Sequence, residues 1–522
     1  MHRRTLLAAA LAAPSLASAA GARTLRYVPN SDLTILDPVW TAAFVTRIHG
    51  LMVFDTLYGQ DDSYAARPQM VEGHRTEDGG RTWRLTLRDG LRFHDGEPVL
   101  GRDVVASLRR WGKVDAFGQT ILARADEISA DDDKEVLFRL KTPFPLLPDA
   151  LGKSTAFLPA IMPARIVEAA GAKPIAEMVG SGPFRYVADE HVDGVRSVWA
   201  KFGGYVPRAE APQYTSGGKV AYLDRVEWQI IPDEATAAAA VQTGQVDWLE
   251  RPLIDLLPAL ARGGGVTLDV VDRTGYMPII RFNHLHPPFD NPGVRRAMLG
   301  AIWQAEIMSA VAGADRSLWQ DKVGVFCPES PMATDAGMAV LDAPRDYAKV
   351  RRELDAAGYR GEKVVFLGSS NNPAGDAVRS VAADQFQRAG LDVEMSVTDF
   401  GIWLQRRNNK DVPAHGGWNC TTTFLPGQDL WDPAVHLAVR GNGGAAWSGW
   451  PTSPRLEQLR DAWFDAPDLA ARQAICRDIQ RQVWEDVPYI PGGRWRHPTA
   501  YRTGISGVLR GMPMFHNVRL PG

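Results

Sequence analysis

The chain has 522 residues, of which 45% are hydrophobic, and its formal net charge is only −3. This length predicts at least two domains, and the small net charge gives no electrostatic argument for binding nucleic acid or an anionic membrane. Because no run of about 18 apolar residues occurs, no transmembrane helix is expected.

The first 19 residues have the features of an export signal. Arg3 and Arg4 form a short positive region, residues 6–13 are only Leu and Ala, and residues 17–19 (ASA) form a small-x-small cleavage site. We therefore predict a signal peptide over residues 1–19 and a periplasmic mature protein. No cysteine follows the site to carry a lipid, so the product is expected to be soluble. The arginine pair leaves open whether export uses the general secretory or the twin-arginine route.

The N-terminal half shows signals of antiparallel strands. Apolar residues alternate with polar ones over residues 81–88, which is typical of a half-buried strand, and Asp-Gly turn sequences stand on both sides. A helix is then predicted from Asp103, with Val104, Leu108 and Trp111 on one face. This part of the chain is expected to be α+β.

The second half changes to an alternation of strand and helix. Residues 364–367 predict a buried strand, residues 378–389 an amphipathic helix that ends at Gly390, and residues 391–397 a second strand. Two strands joined in this way should be parallel, with a right-handed crossover. A further helix is predicted at about 344–357, so the region from about 275 to 475 is expected to form an α/β domain.

Chemistry-bearing motifs are scarce. The sequence contains no Gly-x-Ser-x-Gly elbow, no His-Glu-x-x-His and no phosphate-binding glycine loop. His284 and His286 are the only close histidine pair, and Cys327, Cys420 and Cys476 lie far apart, so free buried thiols are expected. We predict a protein that is not an enzyme and has no cofactor or metal. An exported hydrolase acting on peptides and a nickel or metal-chelate binder remain the alternatives.

Several short motifs follow one another from about residue 25 to the C-terminus. They are residues 78–98 (DGGRTWRLTLRDGLRFHDGEP), 103–105 (DVV), 180–184 (GSGPF), 244–247 (GQVD), 282–283 (FN), 288–290 (PFD) and 294–297 (VRRA). Together they resemble family 5 of the extracytoplasmic solute-binding proteins, which serve the dipeptide, oligopeptide and nickel importers of the ABC type.

This resemblance implies an α/β fold of the periplasmic-binding-protein type, class II and cluster C-like, with two lobes that close like a clam about a hinge. The first lobe would comprise residues 25–272 and 488–522, with an extra α+β subdomain at about 50–180. The second lobe would comprise residues 275–487. The chain would cross the hinge near residues 272–276 and again near Pro488.

The resemblance also implies the function. The protein would capture a small polar solute, with a short or modified peptide as the leading candidate, and deliver it to an ABC permease in the inner membrane. Its partners would be this ligand and the permease, and it would act as a monomer. The sequence leaves open whether a chemoreceptor also reads the closed lobes.

The first candidate ligand contacts are Ser369, Ser370 and Asn371, at the carboxyl end of the predicted strand 364–367. In a β-α-β unit ligands tend to bind at this edge, before the amino end of the following helix. The alternative is a plain capping loop, which Ser and Asn also favour. On the first lobe, the resemblance implies that Trp40 lines the cleft, and Tyr276 beside the presumed hinge is a further candidate.

The second group of candidates is Trp418, Asn419, Thr421, Thr422 and Asp429. This segment resembles the family's Gly-Trp loop, which reaches into the cleft. Trp418 would stack on a flat or apolar part of the ligand, and the polar side chains would orient it. The alternative is that Trp418 belongs to the core.

Two departures from the family pattern bear on the ligand. Peptide-binding relatives have an Asp soon after the Gly-Trp pair, where this chain has residues 420–422 (CTT), and dipeptide binders have an Arg where it has Ser369 and Ser370. A buried ligand charge needs a fixed partner. A zwitterionic dipeptide is therefore not expected, unless Asp429 replaces the missing carboxylate.

Overall fold

The computed structural model describes residues 22–370 and 372–521. Up to residue 269 the strands are β1 (Thr24–Val28), β2 (Tyr58–Gln60), β3 (Ala66–Pro68), β4 (Val71–Glu77), β5 (Thr82–Leu87), β6 (Ala125–Ser129), β7 (Glu135–Leu140), β8 (Phe184–Tyr186), β9 (Arg196–Lys201), β10 (Arg225–Gln229), β11 (Trp248–Leu249) and β12 (Val266–Asp269). The α-helices of this part are α1 (Phe44–Val53), α2 (Gly101–Trp111), α3 (Ala116–Arg124), α4 (Leu147–Gly152), α5 (Ala164–Ala170), α6 (Glu234–Gln242) and α7 (Leu257–Arg262).

The remaining chain continues with further strands and helices. The strands are β13 (Tyr276–Phe282), β14 (Trp319–Gln320), β15 (Lys363–Ser369), β16 (Asp392–Thr398), β17 (Cys420–Pro426), β18 (Tyr489–Pro491), β19 (Arg494–Trp495) and β20 (Thr499–Arg502). The α-helices are α8 (Pro292–Leu299), α9 (Gln304–Ala312), α10 (Ala339–Asp342), α11 (Tyr347–Ala356), α12 (Pro373–Ala389), α13 (Phe400–Arg407), α14 (Pro454–Asp465) and α15 (Leu469–Asp486).

A first seven-stranded sheet has the order β12-β20-β11-β1-β10-β9-β8. Its centre is parallel, because β1 pairs in parallel with both β10 and β11. Strand β20, close to the C-terminus, pairs with β11 and β12, so the end of the chain returns to this sheet. We call the part built on this sheet, together with the helices and strands up to β12, the first lobe.

A separate four-stranded antiparallel sheet, β4-β5-β7-β6, belongs to the first lobe. The predicted strand at 81–88 is confirmed as β5, which pairs with β4 and β7. The predicted helix is confirmed as α2, with Val104, Leu108 and Trp111 buried. At its start the Asp103 carboxylate accepts a hydrogen bond from the Leu100 amide at 2.9 Å, which satisfies one of the unpaired groups at that end.

The second seven-stranded sheet has the order β14-β19-β13-β17-β15-β16, with β18 also paired to β13. The predicted β-α-β unit is confirmed, because β15 and β16 are parallel neighbours along their full length and α12 connects them. Gly390 ends this helix with φ 102°, a left-handed conformation that glycine adopts without steric cost. The predicted helix at about 344–357 is present as α11. We call the part built on this sheet the second lobe.

The chain passes between the two sheets twice. The first passage lies between β12 and β13, at residues 270–275. Strands β18 and β19 pair with β13, so residues 489–495 belong to the second sheet, whereas the prediction placed them in the first lobe. The second passage therefore lies at residues 496–498, and not near Pro488. Strands of three and two residues are too short to show any periodicity, and the prolines alone suggested an earlier end.

The cysteines, the search for membrane-spanning helices and two segments outside the described residues complete the description of the fold. The three cysteines are buried and free, as expected. Among the described residues, no helix combines the length and the hydrophobicity needed to cross a membrane. The predicted signal peptide at 1–19 and the candidate ligand contact Asn371 lie outside the described residues.

The first passage contains a glycine, Gly275, whose backbone conformation and close packing can be tested by substitution. Gly275 has φ 64°, and a Cβ there would lie 2.3 Å from the Trp495 carbonyl oxygen. We expect Gly275→Ala to lower the free energy of unfolding by about 3 kcal/mol or more, since strain and collision add. Gly264 has φ 68° with nothing within 4 Å of a Cβ, so Gly264→Ala should cost only about 1–2 kcal/mol. Calorimetric melting of both variants checks this, and equal losses would contradict it.

Candidate functional site between the two lobes

A buried ion pair joins the lobes. Arg47 on α1 donates from Nη1 and Nη2 to the two carboxylate oxygens of Asp429, each at 2.9 Å. The Arg47 side chain is 2% exposed and the Asp429 side chain 13%. A bidentate pair of this kind is among the stronger polar contacts in proteins. It holds α1 of the first lobe against the segment that follows β17 in the second lobe.

The backbone explains why this segment points at the first lobe. After β17 the chain leaves the sheet at Gly427, whose amide donates to the Gly275 carbonyl at 2.7 Å. A Cβ at Gly427 would lie 2.5 Å from the Thr274 carbonyl oxygen, so only glycine fits this approach. A single 3₁₀ turn (Gly427–Leu430) then presents its side chains to the other lobe.

Hydrogen bonds and an aromatic contact extend the junction. The Oε1 atom of Gln428 accepts from Ser154 Oγ and from Tyr214 OH, each at 2.9 Å. The rings of Tyr64 and Trp431 lie 4.8 Å apart. All these contacts pair a first-lobe residue with one from 428–431, so this short segment carries most of the polar bridging described here.

Tyr276 lies beside the ion pair, at the start of β13. The Arg251 guanidinium is 4.2 Å from its ring centroid, and the Phe44 ring is 5.8 Å away. Burial raises the pKa of the Tyr276 phenol, which therefore stays protonated. The first passage between the sheets thus ends on an aromatic surface with the Arg251 guanidinium against it.

A cavity of about 240 Å³ opens next to this junction, between the two lobes. Its first-lobe wall comes from residues 60–65, Phe117 and residues 146–155, and its second-lobe wall from Pro331, Met332, residues 428–435 and the helices α14 and α15. The aromatic members of its lining are Tyr64, Phe117, Trp431 and Trp463. Because both lobes contribute to the lining, a molecule held there would contact both of them.

Two carboxylates in the cavity lining are destabilised in their charged form. Burial raises the pKa of Asp432 to about 6, and the negative charge of Asp149 adds to the effect. Asp149 is open to the cavity, but it stands in a concave wall, and the protein around it raises its pKa to about 6 against the opposing influence of Arg472. Within the described residues the Asp149 carboxylate forms no ion pair and no hydrogen bond with another residue.

The predicted Gly-Trp loop does not reach the cleft. Trp418 is fully buried, packs with Leu367, Trp403 and Trp450, and donates from Nε1 to the Arg407 carbonyl at 3.1 Å. It is a core residue, which is the alternative that the sequence left open.

The neighbouring polar candidates are also turned inward. Asn419 is fully buried, with Oδ1 accepting from the Val365 amide and Nδ2 donating to the Pro287 carbonyl. Thr421 is 1% exposed and donates to the Leu367 carbonyl. Thr422 is buried within β17 as well. In this structure these side chains hold the second sheet together, and the expectation that they contact ligand gains no support.

No contact of the remaining described candidates with the junction between the lobes is seen among the described residues. Ser369 is buried at the end of β15, with its carbonyl accepting from Arg379, and the Ser370 amide donates to the Thr398 carbonyl. Trp40 is 43% exposed on the first lobe. A ligand contact by these three residues stays a prediction.

Of the candidates among the described residues, the structure therefore brings only Tyr276 and Asp429 together. Sequence reasoning missed their partners, above all Arg47. One signal was available, because Arg47 stands in a helix whose residues 45–53 are all buried, and a lone arginine in such a helix needs a partner. Nothing in the sequence identified which carboxylate that partner would be.

Metal coordination was a further alternative from the sequence. Over residues 22–370 and 372–521, no three His, Cys, Asp or Glu side chains are grouped to hold a metal ion. His286 donates from Nε2 to the Lys410 carbonyl at 2.8 Å. This histidine is therefore engaged with the backbone in this structure.

Comparisons with known proteins agree with this architecture. The family model for bacterial extracellular solute-binding proteins, family 5, matches residues 65–435. A relative from Sinorhizobium fredii, named "Probable peptide ABC transporter periplasmic-binding protein y4tO", is 32% identical over 98% of this chain and 97% of its own length. The glutathione-binding protein GsiB of Pectobacterium atrosepticum is 25% identical over 94% of this chain and 92% of its own length.

Solved structures give the same picture of the fold. The periplasmic binding protein AgaA of A. tumefaciens R10, in complex with agropinic acid, has a TM-score of 0.79 at 21% identity and covers 96% of this chain and 99% of its own. DppA of Helicobacter pylori, in complex with the peptide STSA, also has a TM-score of 0.79, at 20% identity over 96% of this chain and 98% of its own. These likenesses confirm the predicted two-lobed fold class.

The ion pair between the lobes can be tested by removing its carboxylate. Asp429→Asn would leave Arg47 buried without a counter-charge, which costs about 3–5 kcal/mol if the lobes stay in contact. We therefore expect the lobes to separate and the radius of gyration of the ligand-free protein to rise in small-angle scattering. The control is Asp465→Asn, which removes the pair between Arg124 and the 61% exposed Asp465 across the same lobes. That exposed pair should be worth at most about 1 kcal/mol, and equal radii in all three proteins would contradict the prediction.

The raised pKa of Asp432 predicts a pH-dependent stability. The folded protein holds this proton more tightly than the unfolded chain does, so stability falls as the pH rises from about 4 to about 6 and stays lower above that range. Asp432→Asn keeps an Oδ1 acceptor for the Ala434 and Val435 amides. It should raise the free energy of unfolding by about 2 kcal/mol at pH 8, with no gain at pH 4. Thermal melting at both pH values checks this, and an equal gain at both would contradict it.

Proposed function

Because this chain belongs to family 5 of the bacterial extracellular solute-binding proteins, we propose that it binds a short or modified peptide between its lobes and delivers it to an ABC permease. The observation that carries the proposal is the cavity lined by both lobes beside the Arg47–Asp429 pair. A binding site formed by two bodies is filled or emptied by their relative motion, which is what capture and delivery require.

The relatives support a peptide-like solute. Two sequence relatives are named as a peptide-binding and a glutathione-binding protein. Two related structures contain the peptide STSA and agropinic acid. In this chain, Asp429 was the candidate partner for the amino group of such a ligand. Arg47 already neutralises that carboxylate, so the ligand's amino group must be held elsewhere or be modified.

Location and partner follow from the same proposal. The protein would act outside the cytoplasmic membrane, with the segment 1–19 as its export signal, and present its closed lobes to the permease as a monomer. It would bind its solute without chemical conversion. The family consists of binding proteins, which supports this view.

Native mass spectrometry of the protein purified from its host tests the proposal. We expect a complex that loses one small molecule on denaturation, with a mass and fragmentation typical of a peptide or an amino-acid conjugate. Ala65→Trp places a large side chain in the cavity lining and should abolish the bound mass. Ala172→Trp, at an exposed position outside that lining, is the matched control and should retain it.

Two results would contradict the proposal. One is the absence of any bound solute together with no rise in melting temperature across a peptide library, since a ligand that binds only the folded state must stabilise it. The other is the appearance of a cleaved or altered product after prolonged incubation, which would favour the hydrolase alternative.

A further inference from the structure

The cavity between the lobes carries charges that the protein itself does not neutralise. Four ionisable side chains line it: Asp149, Lys153, Asp432 and Arg472. Lys153 is neutralised from behind, because its Nζ donates to the Asp115 carboxylate at 2.8 Å and to the Phe157 carbonyl at 3.0 Å. Two carboxylates and one guanidinium therefore remain.

Arg472 does not cancel either carboxylate by direct contact. Within the described residues it forms no ion pair within 4.0 Å, and its guanidinium lies 5.9 Å from the Trp463 ring. Among the described residues, the Asp432 carboxylate accepts hydrogen bonds from two backbone amides, and the Asp149 carboxylate has no ion pair or hydrogen bond to another residue. The lining thus keeps one more negative charge than positive charge.

The uncharged part of the lining is suited to a cation. Tyr64, Phe117, Trp431 and Trp463 line the same cavity, and aromatic rings attract ammonium and guanidinium groups. Thr155, which also lines the cavity, is 5% exposed, and its Oγ1 is buried without a hydrogen-bond partner. A buried hydroxyl without a partner carries a cost that a ligand donor would remove.

We propose that this cavity is a subsite for a positively charged group of the solute, an ammonium or a guanidinium, held between Asp149 and Asp432 with Thr155 as a further acceptor. The proposal rests on the function proposed above and specifies the ligand class. At about 240 Å³ the cavity is smaller than the 300–1,000 Å³ of a pocket that takes a whole drug-sized molecule. It therefore receives one end or one side chain of the solute.

The subsite also gives the extra subdomain a part in recognition. Asp149 lies on α4 and Thr155 follows that helix, whereas Asp432 comes from the segment after β17 in the second lobe. A cation between the two carboxylates would bridge the lobes by attraction. Without it, the two like charges oppose closure at this place.

Pairs of probes that differ only in one charge test the subsite. Calorimetric titration would compare the peptide Ala-Ala-Lys with its Nε-acetyl-lysine form, and trialanine with N-acetyl-trialanine. We expect the charged member of at least one pair to bind at least tenfold more tightly than its acetylated partner. Asp149→Asn and Asp432→Asn should reduce that ratio to below threefold. Asp384→Asn, which changes an exposed carboxylate on α12, is the control and should leave the ratio unchanged.

The outcomes separate this proposal from the proposed function. Equal affinities within both pairs, or a ratio that survives both cavity substitutions, would overturn the subsite while leaving solute binding intact. Failure of every charged probe to bind would also overturn it, and native mass spectrometry would then decide independently whether the protein carries a solute at all.

Discussion

The guanidinium of Arg47 and the carboxylate of Asp429 come from opposite lobes and meet where almost no water reaches. Arg47 lies in a helix that is otherwise packed into the first lobe, so when the lobes touch at α1 its charge must be matched from across the cleft. The segment 428–431 supplies that match and, with it, the hydrogen bonds from Ser154 and Tyr214. The relative position of the lobes, and therefore the shape of the cavity, depends on this pair.

If the protein's own charges favour closure of the lobes, the ligand has to contribute less binding free energy to that closure. A ligand shifts an equilibrium between open and closed forms only by its differential affinity for them. If the Arg47–Asp429 pair already favours contact, less of the ligand's binding energy is spent on closing the lobes, and the apparent affinity rises. The carboxylates of Asp149 and Asp432 act in the opposite direction, because the protein around them raises the pKa of both and so disfavours their charged forms. A structure that tolerates this cost at one place is typical of a functional site.

Local patterns in the sequence were sufficient for much of the fold. The strand at 81–88 and the β-α-β unit whose helix ends at Gly390 are confirmed because the periodicity of each strand and helix is visible within the element itself. The family resemblance is confirmed by the match over residues 65–435. The site is different, since its central contact joins residues 382 positions apart and no periodicity records such a pairing. The short strands β18 and β19 were missed for a related reason, because only their pairing with β13 defines them.

The burial of the Gly-Trp segment gives a physical reason why residues 420–422 carry no carboxylate. Strand β17 pairs with β13 without interruption from Cys420, opposite Phe282, to Pro426, opposite Tyr276. Residues 420–422 are therefore inside a sheet, where a charged side chain would need a buried partner, and Cys and Thr are compatible with that environment. The chain is free to face the other lobe only after Gly427. A carboxylate for the interface must then come from further along, and Asp429 and Asp432 occupy those positions. Arg47 pairs with the first of these two carboxylates, and the second, Asp432, lines the cavity.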